Sequence, residues 1–240
     1  MVDGGRGDGR EDLELRSSRY ELGVTGVGNG KVEGSVRLTS GRTEVAVEVK
    51  GPEASLASVV VKPTANRDRV SVNVKSVVSP VSGQSGEREQ ALEESIIKFV
   101  AGVLDPSCPP RTTITVVAQI LSEDGSLLAC LLNATALALM EAGIPLYGTP
   151  VSVAVAVAHS EPSPPRLCLD PDLAEERTSQ LVGTYSYLFS SVDSSESAIE
   201  EMKANIVHVS TLGNSNAQTA LHALTVAEKA ARLVLRTRAC

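Results

Sequence analysis

The sequence predicts an α+β protein in which mixed sheets pack around a buried central helix and a C-terminal helix. Three observations carry that prediction. Segments 43–50 and 69–77 alternate apolar and polar residues with a period of two, the pattern of half-buried strands. The run from about Leu127 to Ala142 is apolar almost all round, so as a helix it must be covered on most sides. Strand-like and helix-like segments alternate along the chain, with at least three helices among them.

Residues 1–18 lack an apolar run and read as a disordered N-terminal tail, not a secretory signal; Arg6-Gly7-Asp8 within it is an accident of composition. No clean linker follows, so residues 19–240 read as one domain whose halves are weakly repeated. Glycines 23, 26, 28 and 30 look like a hairpin turn with Asn29-Gly30 at its tip. They are not a dinucleotide loop, because no apolar strand precedes a helix there. In 43–50, Val45, Val47 and Val49 share one face and Glu44, Glu48 and Lys50 the other, with Gly51-Pro52 ending the strand. In 69–77, Val70, Val72 and Val74 point inward, and a loop over 78–86 follows.

A helix from about Glu87 to Leu104 places Leu92, Ile96, Val100 and Val103 at helical spacing, and Asp105-Pro106 and Pro109-Pro110 close it. Thr112 to Leu121 is β-branched and mostly apolar, as an interior strand should be. Glu123 to Ser126 turns the chain into the central helix, where Ala129, Ala134, Ala136, Ala138 and Ala142 let neighbours approach closely. Gly143 and Pro145 stop that helix. Val151 to Ala158 is a strand of small side chains, and 162–165 is a loop. Gln180 to Ser190 and Ile206 to Ser210 read as strands. Asn216 to about Arg236 reads as a closing helix that buries Leu221, Leu224, Ala231 and Leu235.

Composition narrows the function classes. The chain has 29 Asp and Glu against 22 Lys and Arg, a net charge of −7, and six aromatic residues with no Trp. A free-standing nucleic-acid binder would carry a basic footprint, and a single-strand binder a stacking platform. Neither is present, and Arg67, Arg69 and Arg111 are too scattered to mark an RNA strip. No window is apolar and long enough for a transmembrane helix. Cys108, Cys130, Cys168 and Cys240 form no CxxC pair, and His159, His208 and His222 have no metal-ligand spacing. Reduced thiols in an intracellular protein, with no zinc site and no cofactor, are expected.

Two stretches carry a resemblance. The first is Gly34-Ser35-Val36 with Gly41-Arg42-Thr43-Glu44-Val45-Ala46-Val47 and Gly51-Pro52. The second starts at Pro110-Arg111-Thr112-Thr113-Ile114-Thr115-Val116 and runs through Asp124-Gly125-Ser126-Leu127-Leu128-Ala129-Cys130. It continues with Asn133-Ala134 and Ala142-Gly143-Ile144-Pro145, and Leu169-Asp170-Pro171 and the alanine-rich last helix are also similar. These residues resemble the RNase PH family, which includes the ring subunits of the eukaryotic RNA exosome. They look closest to the ribosomal-RNA-processing protein forty-six type. The resemblance implies the RNase PH fold and a place in a six-membered ring.

Active members of that family degrade RNA by phosphorolysis, which brings inorganic phosphate onto a phosphodiester and needs donors and cations around both. The resemblance places their phosphate loop at Asp124, Gly125, Ser126 and Leu127, on a helix N-terminus. Active relatives carry an arginine where this chain has Leu127, so a permanent charge and a bidentate fork are lost. Asp124 puts a carboxylate at the positive helix end, and Asp124 and Ser126 read as helix caps. The arginine-bearing helix of active relatives corresponds to 87–104. From 84 to 106, five acids, among them Glu87, Glu89, Glu93 and Glu94, outnumber Arg88 and Lys98, a net −3. Such a face repels a polyphosphate, or meets a basic neighbouring subunit.

The last element is a pair of acids six residues apart, Asp170 and Glu176, with Asp172 and Glu175 nearby. Paired carboxylates can act as a general acid or bind a divalent ion. Glu176 is one methylene longer than the aspartate of active relatives, so the pair reads as a degenerate remnant, and no catalytic residue and no metal is expected.

The expected function is a non-catalytic structural subunit of the exosome core ring, supporting 3'-to-5' RNA processing and degradation, ribosomal RNA included. It would form the RNA channel and dock other RNase PH-like ring subunits and cap subunits, touching RNA indirectly, with no membrane. The location implied is nucleus and nucleolus, also cytoplasm. Strand edges at 45–50 and segments near 145–160 are the expected interfaces. One alternative is an active phosphorolytic 3'-to-5' exoribonuclease, alone or as a homodimer, working through Asp170 and Glu176. Another is a stand-alone acidic adaptor.

Overall fold

The computed structural model describes residues 6–24, 32–54, 71–78, 86–105, 107, 112–158, 166–190 and 202–239. Nine strands and four helices lie within them. β1 (Ser18–Leu22), β2 (Gly34–Ser40), β3 (Thr43–Ala54), β4 (Ser71–Val78) and β5 (Thr112–Ser122) build one sheet in the order β1-β2-β3-β5-β4. Its pairs are antiparallel except β4 with β5, which run parallel because helix α1 (Glu87–Val103) carries the chain back between them. β6 (Thr149–Ala158), β7 (Arg166–Leu169), β8 (Ser179–Ser190) and β9 (Lys203–Gly213) form a second, antiparallel sheet in the order β7-β6-β8-β9.

Helix α2 (Leu127–Glu141) packs against β2 and β3 on one side and against β6 on the other. This explains its composition, because eleven of its fifteen residues are buried. Its one inward amide, Asn133, is satisfied by the backbone of β6. It donates to the Ser152 carbonyl and accepts from the Ser152 amide, both at 2.8 Å. Gly34 on β2 shows how closely the layers approach. A β-carbon there would lie 2.4 Å from the Ala138 carbonyl and 2.6 Å from the Ala142 amide.

Two cores result. The first joins Val36, Val45, Val47, Val49 and Val116 of the first sheet to Ile96 and Phe99 of α1 and to Leu131 and Leu132 of α2. The second lies between the second sheet and helix α4 (Ala217–Ala239). There Tyr185, Tyr187 and Phe189 are at most 2% exposed, the Tyr187 hydroxyl donates to the Leu224 carbonyl at 2.7 Å, and Arg232 stacks 5.4 Å from the Phe189 centroid. With Phe99, four of the six aromatic side chains are spent on packing.

Several expectations need correction. β3 does not end at Gly51-Pro52 but continues through a cis peptide to Ala54, with a register shift between Lys50 and Glu53. Glu48 is not solvent-facing: it and Ala46 are buried like the valines beside them. Neither expected interface strand is an edge, since β3 lies between β2 and β5, and β6 between β7 and β8. The backbone groups of both are already paired on two sides, which leaves nothing for a partner strand. In α4, Ala231 and Leu235 are buried and Leu224 packs against the core as expected, but Leu221 is 66% exposed, and Ala223, Ala227 and Ala230 complete the seated face. A short helix α3 (Leu173–Thr178) and strands β1 and β7 were not foreseen. Residues 25–30 of the expected hairpin turn, 79–85 of the loop expected over 78–86, the whole loop expected over 162–165, His159 and the side chains of β4 lie outside the described residues. His208 sits half-buried on β9, and His222 is on the exposed face of α4.

The largest correction concerns the N-terminal segment, for residues 6–17 are not a loose tail. Arg6 is 6% exposed; its guanidinium pairs with Glu175 at 2.6 Å and donates to the carbonyls of Leu169 and Asp170. The Leu169 amide donates to the Asp12 carbonyl at 2.8 Å, and Arg166 pairs with Asp12. Asp8 bridges to Arg10, so the Arg6-Gly7-Asp8 triplet is part of a built strap that ties the chain start to β7 and α3.

Two stability measurements test this packing. Gly34→Ala should lower the urea-unfolding free energy by about 3 kcal/mol, because the new methyl meets helix backbone that cannot swing aside. Arg6→Ala, which strands Glu175 and two carbonyls, should cost about 3 kcal/mol. Asp8→Ala, in the more exposed pair, should cost under about 1 kcal/mol.

Candidate active site

The residues singled out in the sequence converge at the N-terminal end of α2. Gly125 (φ +79°) presses against the segment before α3. A β-carbon there would lie 2.4 Å from the Pro171 carbonyl oxygen and 2.4 Å from the Asp172 carbonyl carbon, so only glycine fits. Ser126 follows in the left-handed region (φ 52°) and Asp170 opposite it is left-handed too (φ 48°), an uncommon conformation for both residue types.

Asp124 and Ser126 do not cap α2 with their side chains. Ser126 occupies the N-cap position, but its hydroxyl donates to the Pro171 carbonyl at 2.9 Å. The Asp124 amide donates to the Thr43 hydroxyl at 2.9 Å. The oxygen at the helix end comes from Glu176, whose Oε1 accepts the Ser126 amide at 2.7 Å. The protein's own carboxylate thus sits on the N-cap amide of this helix, at its positive end. Burial pushes the Glu176 carboxyl up, with Glu123 adding to that, against the lowering pull of the Ser126 amide, Arg16 and Arg88.

Asp170 is equally engaged. Its Oδ1 accepts from the Arg16 guanidinium at 2.7 Å and its Oδ2 from the Arg16 amide at 3.1 Å and the Ser40 hydroxyl at 3.3 Å. Burial works to raise this carboxyl, but the bonds and charge of Arg16 prevail and hold it below the usual carboxylate range. Arg16 also donates to the carbonyls of Asp124 at 2.7 Å and Gly125 at 3.1 Å, gathering the loop and the acid about one cation.

Sequence reasoning missed Arg16, which sits in the segment read as a tail. The available signal was the pairing of Arg6, Arg10 and Arg16 in a short run with a later cluster of acids, Asp170, Asp172, Glu175 and Glu176.

A cleft of about 400 Å³ opens beside this helix end, lined among others by Arg88, Leu92, Leu127, Leu128, Glu176 and Leu212. Leu127 is 5% exposed and belongs to the first core, so the position yields packing and no charge. Arg88 makes a two-pronged bridge to Glu123, Lys98 pairs with Glu94 at 2.8 Å, and the Glu89 carboxylate accepts from the Gly86 amide at the start of α1. Arg177, exposed on the rim, makes no ion pair among the described residues. Asp172 and Glu175 cap α3 reciprocally, with the Glu175 amide donating to Asp172 at 2.7 Å. No cluster of three or more His, Cys, Asp or Glu side chains converges in metal-binding geometry among the described residues. Cys130 and Cys168 are free and buried, and burial pushes the Cys130 thiol up to about 12.

Known structures match the fold along nearly the whole chain. The crystal structure of rice (Oryza sativa) Rrp46 superposes with a TM-score of 0.79 at 24% identity, covering 98% of this chain and 99% of that one. The Archaeoglobus fulgidus exosome with RNA bound to the active site superposes with a TM-score of 0.73 at 22% identity, covering 98% and 93%. Among curated sequences, the exosome complex exonuclease RRP46 homolog of Arabidopsis thaliana is 30% identical over 172 residues, 72% of this chain and 66% of that protein. The matching stretch thus spans about two thirds of that relative's length. The likeness to the forty-six type and the RNase PH-like α+β fold are both borne out. Residues 14–145, more than half of the sequence, match the model of the 3' exoribonuclease family, domain 1 (RNase_PH), and the chain belongs to that family.

Proposed function

We propose that this protein is a non-catalytic ring subunit of an RNA exosome core. It would hold neighbouring RNase PH-like and cap subunits in place around an RNA channel, in nucleus and nucleolus and also in the cytoplasm. Its relatives include exosome components named for RRP46 and Rrp41, which supports the assembly part of the reading. The observation that carries the non-catalytic part is the Glu176 carboxylate on the Ser126 amide. A phosphate entering there would meet a carboxylate where an active enzyme offers a donor. Like charges about 4 Å apart repel by about 4 kcal/mol at the effective dielectric of a protein surface, roughly a thousandfold in affinity. Leu127 supplies no opposing cation. Arg16 is committed to Asp170 and Arg88 to Glu123, which leaves Arg177, exposed on the rim, as the one guanidinium of the cleft without an ion pair among the described residues.

The whole protein should release no nucleoside diphosphates from single-stranded RNA in the presence of inorganic phosphate. A native pull-down read by mass spectrometry should recover other RNase PH-like subunits. Phosphate-dependent release that Asp170→Ala abolishes would establish the active exoribonuclease instead, and purification as a lone monomer would favour the adaptor. The deficit is also repairable in principle. The double variant Leu127→Arg with Glu176→Gln adds a cation and removes a charge, and should bind inorganic phosphate at least about a hundredfold more tightly than the parent in calorimetric titration.

A further inference from the structure

Ser126 has a second neighbour. On the side away from the cleft lies a cavity of about 500 Å³, bounded by β1, β2, α2, β6 and the C-terminal end of α4. That volume is within the range of small-molecule sites. Much of its wall is apolar, including Leu38, Val153 and Val234.

Its wall carries two acids, Glu14 and Asp170, and two guanidiniums, Arg16 and Arg238, of which only Asp170 and Arg16 form an ion pair. Asp170 faces the cavity but is neutralised by Arg16, and the Glu14 carboxylate accepts the Glu11 amide at 3.0 Å. Arg238, near the end of α4, also lines the cavity. It makes no ion pair among the described residues, and its one hydrogen bond there is a long one, 3.4 Å to the Pro150 carbonyl. Burial pulls this guanidinium down to about 10, and it remains a cation at pH 7 although part of the side chain still reaches solvent. A guanidinium so placed ordinarily has a carboxylate or phosphate across from it. A second donor is also left over on the wall: the Arg16 Nε–H is buried with no hydrogen-bond partner. Such orphans are rare in native interiors and call for a partner.

We propose that this cavity binds a small organic monoanion, a carboxylate carrying an apolar tail, with Arg238 as its charge partner. The carboxylate satisfies the unpaired cation, and the tail covers Leu38, Val153 and Val234. A single unmatched cation fits one negative charge. A phosphate monoester would bring nearly two into a wall with no second free cation, and burying the excess is costly. The proposal does not rest on the exosome reading, because the cavity belongs to the isolated chain.

The test is calorimetric titration of the full chain at pH 7 with three eight-carbon probes: octanoate, octanamide and octyl phosphate. Octanoate should bind one to one with submillimolar Kd, and the neutral amide and the phosphate at least about tenfold more weakly, a difference of about 1.4 kcal/mol. Arg238→Gln should erase the preference of octanoate over octanamide while the unfolding temperature without ligand stays close to the parent's. Should that variant fail to fold, Val234→Phe keeps the charge and fills the cavity, and it should abolish octanoate binding. No saturable heat with octanoate, tightest binding by octyl phosphate, or an octanoate affinity unchanged in a folded variant would each overturn the assignment.

Discussion

Arg16 carries its guanidinium into the seam between the two sheets, where it holds the carbonyls of Asp124 and Gly125 and both oxygens of Asp170 through its side chain and its own amide. Removing two charges from water is costly, and the pair offsets that cost through several bonds at once, although the Arg16 Nε–H is left without a partner. The geometry then propagates. Asp170 is fixed in a left-handed conformation, the segment after it lies against Gly125, and Ser126 is turned left-handed so that its amide meets Glu176. A different side chain at 16 would release the loop, the acid and the start of α2 together.

Charge and aromatic area are scarce in this chain, and both are used inside it. The chain has 22 basic residues, and of those around the start of α2, Arg16 and Arg88 are paired within the chain while Arg177 stands exposed. Four of six aromatic rings fill the cores. An RNA path needs backbone cations and stacking surfaces. Here both residue types serve mainly to hold two sheets and four helices in register. The acidity read from composition is thus local as well as global, because it concentrates at the helix end where a phosphate would have to enter.

The elements legible in the sequence were those set by local periodicity. α1, α2, β5, β6 and β8 all fall where spacing put them, since a helix or strand burying one face must repeat its apolar residues at that element's period. What could not be read depends on contacts distant in sequence. The strap over 6–17 has no apolar period and is held by ion pairs reaching Arg166, Asp170 and Glu175. That β3 and β6 are interior strands follows from strand order, which no single segment encodes. α4 shows a subtler failure. Leu224, Ala231 and Leu235 face the core as their spacing implied, but the first turns seat through Ala223 and Ala227, and Leu221 is left in solvent. At the site, the residue types at 124–127, 170 and 176 were legible, but Arg16 was not, because its role exists only once the strap is docked.

A helix end buried in a fold has to be stabilised whether or not a ligand occupies it. A helix N-terminus with no anion leaves amide donors unmet at the positive end of a dipole. Glu176 answers that need, since its extra methylene relative to aspartate lets the carboxylate belong to the fold and not to a ligand. A carboxylate at such an end contributes about 0.3–1 kcal/mol when exposed and up to about 2 kcal/mol when partly buried. Burial holds the Glu176 carboxyl above its ordinary range, so part of that gain is returned as desolvation. Leu127, the residue after Ser126, is buried in the first core, so the start of α2 is held by packing on one side and by this carboxylate on the other.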